Sequence, residues 1–242
     1  MKKSPKDFAR QWLQSKGWFV RKTAGLPAGT DLGIDWQRAG LPPARLVLDV
    51  GAHCGETCRS LLQLFPETHI HAFEPVRENF NRLAEATRNE PNVHCHPLAL
   101  GSDPGSCEIL LQPDSQTHSL RHQCPDGGQA GVRSERIEVS TLDEFALREH
   151  LGTIDLLKID TEGFELEVLR GGKKLLAEGR VRAILLEASL DPDDRIHTPL
   201  VEAIKELAPH RFHLASLSEQ VAWSGPFRLA YFNAFFVRDS KP

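Results

Sequence analysis

The sequence predicts an α/β fold, a mostly parallel sheet with helices on both faces. Short apolar runs with β-branched content recur, as in "ARLVLDV", "HIHAFEP", "IDLLKID" and "VRAILLEAS". Runs this apolar suit strands buried on both faces. Segments with apolar residues at helical spacing stand between them, and that alternation is the grammar of βαβ units. Several runs also stop at a glycine, a proline or a carboxylate, as expected where a strand gives way to a turn.

Taken in order, residues 6–16 read as a short helix with Phe8, Trp12 and Leu13 on one face and Pro5 near its start. This helix, with Trp12, Trp18 and Phe19, is expected to cover the core. Residues 21–44, with several Gly and Pro, read as an extended lead-in, so the chain divides into a 1–44 segment and a 45–242 domain. "ARLVLDV" is the first strand, "GETCRSLLQLF" a helix, and "HIHAFEP" the second strand, stopped by Pro75. "VRENFNRLAEATRN" follows as a helix and "VHCHPLAL" as the third strand. Residues 101–139 break the rhythm and read as antiparallel excursions around a mobile loop, "CPDGGQAG" being its most flexible part. Thr141 and Glu144 have capping-box spacing, which starts a helix running to about His150. "IDLLKID" is the fourth strand, and a helix from about Glu165 stops at Gly171-Gly172. "VRAILLEAS", the helix "PLVEAIKEL", and a hairpin of "RFHLASLS" with "LAYFNAFFVR" close the chain.

Of the 242 residues 40% are hydrophobic and 26% charged, with a formal net charge of -4. That balance suits a globular domain and argues against a strongly basic nucleic-acid binder. No segment approaches the roughly 20 apolar residues of a membrane span. "MKKSPKDFARQWLQSKGWFV" starts basic but lacks an apolar h-region, so a cytoplasmic protein is expected. The five cysteines, Cys54, Cys58, Cys95, Cys107 and Cys124, form neither a disulfide framework nor a zinc spacing, and read as reduced structural thiols.

The chemistry concentrates at strand ends. "LDVGAHCGET" runs from a strand through glycines into a helix, the form of a cofactor loop. The middle glycine of a dinucleotide fingerprint is absent, and Asp49 stands where a phosphate would be repelled. The loop therefore suits a cationic or neutral ligand. Glu74, at the end of the second strand, is placed to accept from vicinal ribose hydroxyls. Asp160 ends the fourth strand and is expected to face the same crevice, where strand order reverses. Glu162 either caps the following helix or faces an acceptor.

Together "LDVGAHCGET", "FEP", "PLALGS", "TLDEF" and "LLKIDTEGFELEVLRGG", in this order from about Val47 to Val237, resemble the FkbM family of S-adenosylmethionine-dependent methyltransferases. The resemblance implies a class I methyltransferase fold, a Rossmann-like sheet of seven mostly parallel strands with the last antiparallel. It implies that Asp49, Gly51 and Gly55 line the methionine half of S-adenosyl-L-methionine. Glu74 would hold the ribose, Ala99 and Leu100 would lie near the adenine, and Asp160 near the amino group or sulfonium. The family often has Asn where this chain has His53. It also implies transfer to a hydroxyl of a small molecule, secondary metabolite or sugar, with no nucleic acid as partner.

An alcohol is a poor nucleophile, so a general base is expected, with His53, Glu162 and Glu187 as candidates. His118 and His197 read as surface loop residues. No metal ligand set is assigned. A metal-assisted route through Asp160, Glu162 and Glu187 is the alternative to a side-chain base. A macromolecular methyltransferase and a non-catalytic interaction module are the competing functional readings. The residues identify neither the acceptor nor the oligomeric state.

Overall fold

The computed structural model describes residues 12–13, 15–17, 22–111, 134–223 and 228–239. Helix α1 (Leu32–Arg38) leads into β1 (Leu46–Val50), α2 (Glu56–Leu64), β2 (His69–Phe73), α3 (Arg77–Thr87) and β3 (Val93–His96). A small second sheet follows, made of β4 (Ala99–Leu100), β5 (Gly105–Leu110) and β6 (Ser134–Ser140). Next come α4 (Leu142–Arg148), β7 (Ile154–Ile159), α5 (Glu165–Arg170), α6 (Lys173–Ala177) and β8 (Val181–Ser189). Then β9 (Thr198–Pro199), α7 (Leu200–Leu207), β10 (Phe212–Trp223) and β11 (Arg228–Arg238) follow.

The main sheet runs β3-β2-β1-β7-β8-β11-β10, with β9 paired to the end of β8. β11 lies antiparallel to both β8 and β10, as the resemblance implies. β1 pairs in parallel with β2 on one side and β7 on the other, so strand order reverses between β1 and β7. That is the point where an open α/β sheet leaves a crevice above its carboxyl ends.

Alternate residues of the strands feed two cores. Leu48, Val50, Phe73, Leu157, Ile159 and Ile184 face α4 to α7 through partners such as Phe145, Leu169, Leu176 and Leu207. Val47, Ile70, Leu156, Leu185 and Phe235 face the other way, against Trp36 of α1, Cys58 and Leu61 of α2, and Leu83 of α3. Asp49 and Lys158 lie opposite each other across β1 and β7, on this second face and near the crevice.

Four expectations need correction. The lead-in is not simply extended, because residues 32–38 form α1. Asp31 caps this helix by accepting from the Ile34 N–H at 2.8 Å. Its Trp36 is buried against Phe65 and Phe235 at 4.9 and 6.2 Å. "VHCHPLAL" breaks at Pro97 into β3 and β4, which belong to different sheets. Helix α5 stops at Gly171 as expected, but α6 restarts at Lys173. Asp143 accepts from the Lys174 and Leu175 N–H groups at 3.0 and 2.9 Å, supplying the cap that Gly172 cannot. Finally, Trp12 is helical but 59% exposed, so it does not cover the core. Trp18, Phe19, most of the expected 6–16 helix, His118, Cys124 and the "CPDGGQAG" loop lie outside the described residues. Among the described cysteines all four are free.

The sheet edge carries a histidine pair. His71 Nδ1 and His96 Nε2 lie 3.0 Å apart, and both rings meet the Phe145 ring of α4. Burial lowers His71 to about 4, helped by His96 and His94, and burial lowers His96 as well. Both native values lie below the unfolded one, so the native state binds fewer protons than the unfolded chain on acidification. Stability should be full above pH 6.5 and fall as pH drops from about 6.5 to 4. His71→Phe should remove about 1–2 kcal/mol of that loss, allowing for partial exposure. Urea midpoints at pH 7 and 4.5 check this; an equal drop in variant and parent would contradict it.

Candidate active site

A cleft of about 350 Å³ opens above the carboxyl ends of β1, β2, β7 and β8. This volume lies in the roughly 300–1,000 Å³ range of small-molecule sites. One wall is apolar, made by Phe73, Val76, Ala99, Leu100 and Ile109. The opposite end is acidic, with Asp160, Glu162 and Glu187 beside Tyr231.

The glycine loop between β1 and α2 forms the floor. Gly51 has φ +80°, and a Cβ there would lie 1.8 Å from the Asp160 carbonyl oxygen. Only glycine lets β1 and β7 pass this closely. The Gly51 and Ala52 N–H groups donate to the Phe73 carbonyl at 3.0 and 2.9 Å, which ties the loop to β2. Glu74 completes the tie. Its Oε2 accepts from the His53 N–H at 3.1 Å and its Oε1 from the Val76 N–H at 2.9 Å. Burial pushes the Glu74 carboxyl up to about 7, against the pull of these two N–H groups and Lys158.

Lys158 organises the far side. Its Nζ lies 3.1 Å from Asp49 Oδ1, 3.3 Å from Asp160 Oδ2 and 3.1 Å from the Gly51 carbonyl, to which it donates. The residue is 5% exposed. Burial works against its charge, but Asp160 and then Asp49 outweigh burial and hold the ammonium above its ordinary range. Cys58 donates its S–H to Asp49 Oδ2 at 3.3 Å. Burial, then Asp49, push that thiol far up.

The turn after β7 and the start of α5 bring Asp160, Glu162 and Glu165 close together in sequence. Glu165, fully buried, accepts from the Thr161 and Gly163 N–H groups at 2.9 and 3.1 Å and from the Thr198 hydroxyl. Glu165 thus ties this turn to β9. Glu162 takes a left-handed backbone, φ +53°, and lines the cleft. Glu187 lies beside it at the end of β8. Burial, then Asp160, Glu162 and Glu165, push its carboxyl up to about 9.

Residues 49–217 match the family model described as the methyltransferase FkbM domain. The chain belongs to this family. It carries an FkbM methyltransferase domain with the class I sheet order, a domain family whose methyl donor is S-adenosylmethionine. Among curated proteins, the 2-O-methyltransferase NoeI of Sinorhizobium fredii is 28% identical over 155 residues, covering 57% of this chain and 61% of that protein. The hexuronic acid methyltransferase AglP of Haloferax volcanii is 28% identical over 128 residues, covering 53% and 51%. The chain thus spans between half and two thirds of these relatives.

This FkbM domain brings Gly51, His53, Glu74, Ala99, Leu100, Asp160, Glu162 and Glu187 to one cleft. Asp49 and Gly55 do not line it. Asp49 is fully buried beneath Lys158, and Gly55, at φ +88°, precedes α2 and lies against Leu83. Lys158 and Tyr231 were not among the sequence candidates. Lys158 had a signal, the one cation of a strand whose other residues are apolar except Asp155. Tyr231 had none, because an aromatic in a strand reads as core. His197 is not a surface residue; it is buried against Tyr231, their ring centroids 4.2 Å apart.

The cleft fits the donor on two counts. At its acidic end burial, with Asp160, Glu162 and Glu165 nearby, holds the Glu187 carboxyl well above its ordinary range, a strain that a sulfonium and an ammonium would relieve. Its apolar wall matches a purine. Among the described residues, no helix is long and apolar enough to cross a membrane.

Proposed function

We propose that this FkbM domain methylates a hydroxyl group on a small molecule or glycan. The observation that carries the reading is the polarity of the cleft, apolar beside β4 and acidic at the ends of β7 and β8. The names of the two relatives, a 2-O-methyltransferase and a hexuronic acid methyltransferase, support a sugar as acceptor.

S-adenosylmethionine would supply an electrophilic methyl group on a sulfonium. Glu74 would accept from the ribose hydroxyls with the lone pairs its two N–H partners leave open. Ala99, Leu100 and Phe73 would flank the adenine, and Asp160, steadied by Lys158, would receive the amino group. Of the three base candidates at the cleft, Glu187 already holds its proton at neutral pH, so His53 and Glu162 would take the hydroxyl proton. Placing the acceptor oxygen in line with the methyl group supplies much of the rate.

Calorimetric titration with S-adenosylhomocysteine, with NADH alongside, tests the reading. Saturable binding of the sulfur compound and none of NADH is expected; no binding by folded protein would remove its basis. Affinity should also fall as pH drops below about 7, because protonation of Glu74 removes its acceptor charge. In Glu74→Gln, binding should weaken about tenfold or more and lose that pH dependence. A variant with the parental pH profile would rule Glu74 out as the ribose partner.

A further inference from the structure

We propose that Glu162, Glu187 and His197 form a site for a divalent first-row cation at the acidic end of the cleft. Their donor atoms, one from each residue, lie within 4.8 Å of one another. Metal–oxygen and metal–nitrogen bonds of about 2.0–2.2 Å place ligand pairs at about 3–4 Å, so a small inward movement closes the set. The ligands come from three separate segments, the turn after β7, the end of β8 and the loop before β9.

His197 is the deciding residue. It is 6% exposed. Its Nδ1 lies 2.8 Å from Asp194 Oδ2, and an imidazole meets a carboxylate there by donating its N–H. Asp194 is itself held by the Ile196 and His197 N–H groups at 2.8 and 3.0 Å. The Tyr231 ring stacks on the imidazole and sets its plane. Nε2 is then left as a lone pair, aimed at Glu187 Oε2 across 3.6 Å, beyond hydrogen-bond distance. Nε2 and Glu187 stand too far apart to hydrogen-bond each other, and a cation seated between them would take a lone pair from each. A carboxylate holding the far nitrogen is also how metal-bound histidines are oriented.

The set differs from the one the sequence suggested. Asp160 is engaged by Lys158 at 3.3 Å, and His197 takes its place. One imidazole and two carboxylates suit manganese, iron or zinc better than a soft-ligand metal. Three protein ligands leave coordination positions open. Glu162, Glu187 and Tyr231 line the cleft, so those positions face it. The acceptor class this implies is a vicinal diol, able to place two oxygens on one cation. This last step rests on the methyl-transfer reading of the cleft; the cation site itself does not.

The test uses the full chain, stripped with EDTA and titrated with Mn²⁺, with free Mn²⁺ read by electron paramagnetic resonance. One saturable equivalent per chain is expected, with a single nitrogen coupling in the pulsed spectrum that disappears in His197→Phe. Glu187→Gln should weaken Mn²⁺ binding at least tenfold, and Asp194→Asn about tenfold through the orientation of His197. S-adenosylhomocysteine binding without metal should be unchanged in Asp194→Asn. Folded protein that binds S-adenosylhomocysteine but takes up no stoichiometric Mn²⁺ would overturn the site. So would Mn²⁺ binding without nitrogen coupling, or binding indifferent to Glu187→Gln. Loss of S-adenosylhomocysteine binding alone would count against the methyltransferase reading and leave the cation count to decide this one.

Discussion

Lys158→Met should destabilise the fold by about 3–5 kcal/mol, since removing one partner of a buried ion pair strands the other. Asp49 is the stranded partner. It is fully buried, and without Lys158 its recorded polar contact is the Cys58 thiol. Asp49→Asn in the same chain should restore most of the loss, because the charge is then gone. Chemical denaturation of the two variants at pH 7 reads the loss and its rescue. A single variant as stable as the parent would mean that Lys158 does not neutralise Asp49. The double variant should fold and still lack cofactor affinity, because Asp160 and the Gly51 carbonyl lose their cation.

Trp36→Ala should cost about 3–5 kcal/mol, the range for deleting a large buried aromatic. Trp36 is 2% exposed, packs on Phe65 and Phe235, and donates its indole N–H to the Pro42 carbonyl at 2.8 Å. The loss should be a global one, seen equally in thermal melts by far-ultraviolet and near-ultraviolet circular dichroism. A loss below 1 kcal/mol would show that α1 is an appendage. Trp36→Phe should recover part of the loss through the ring, but not the hydrogen bond.

Both residues show where sequence reading ended. The βαβ order, the glycine loop and the strand-end acids were legible, because buried parallel strands and their turns leave periodic and compositional marks. Helix α1 was not, because its seven residues lie among Gly and Pro and are too short to show a period. Its stability comes from one tryptophan meeting the far end of the chain. Asp49 is the lone polar residue of "LVLDV", and Lys158 shares "IDLLKI" with Asp155. That Asp49 and Lys158 neutralise one another depends on the pairing of β1 with β7 and on strand register, and a single sequence does not display either. His197 and Glu187 lie ten residues apart in sequence, and nothing local announces that they face each other.

The place of β11 has a consequence for how the molecule is made. It is the last described strand in the sequence, yet it lies between β8 and β10 and supplies Phe235 to the pocket that holds Trp36. During synthesis, at about 5–20 residues per second, α1 leaves the ribosome many seconds before its partner exists. β8 waits meanwhile with one long edge unpaired. The nascent domain therefore has to keep Trp36 and that edge from other chains until the hairpin arrives. Folding should be slow and dominated by this one long-range closure.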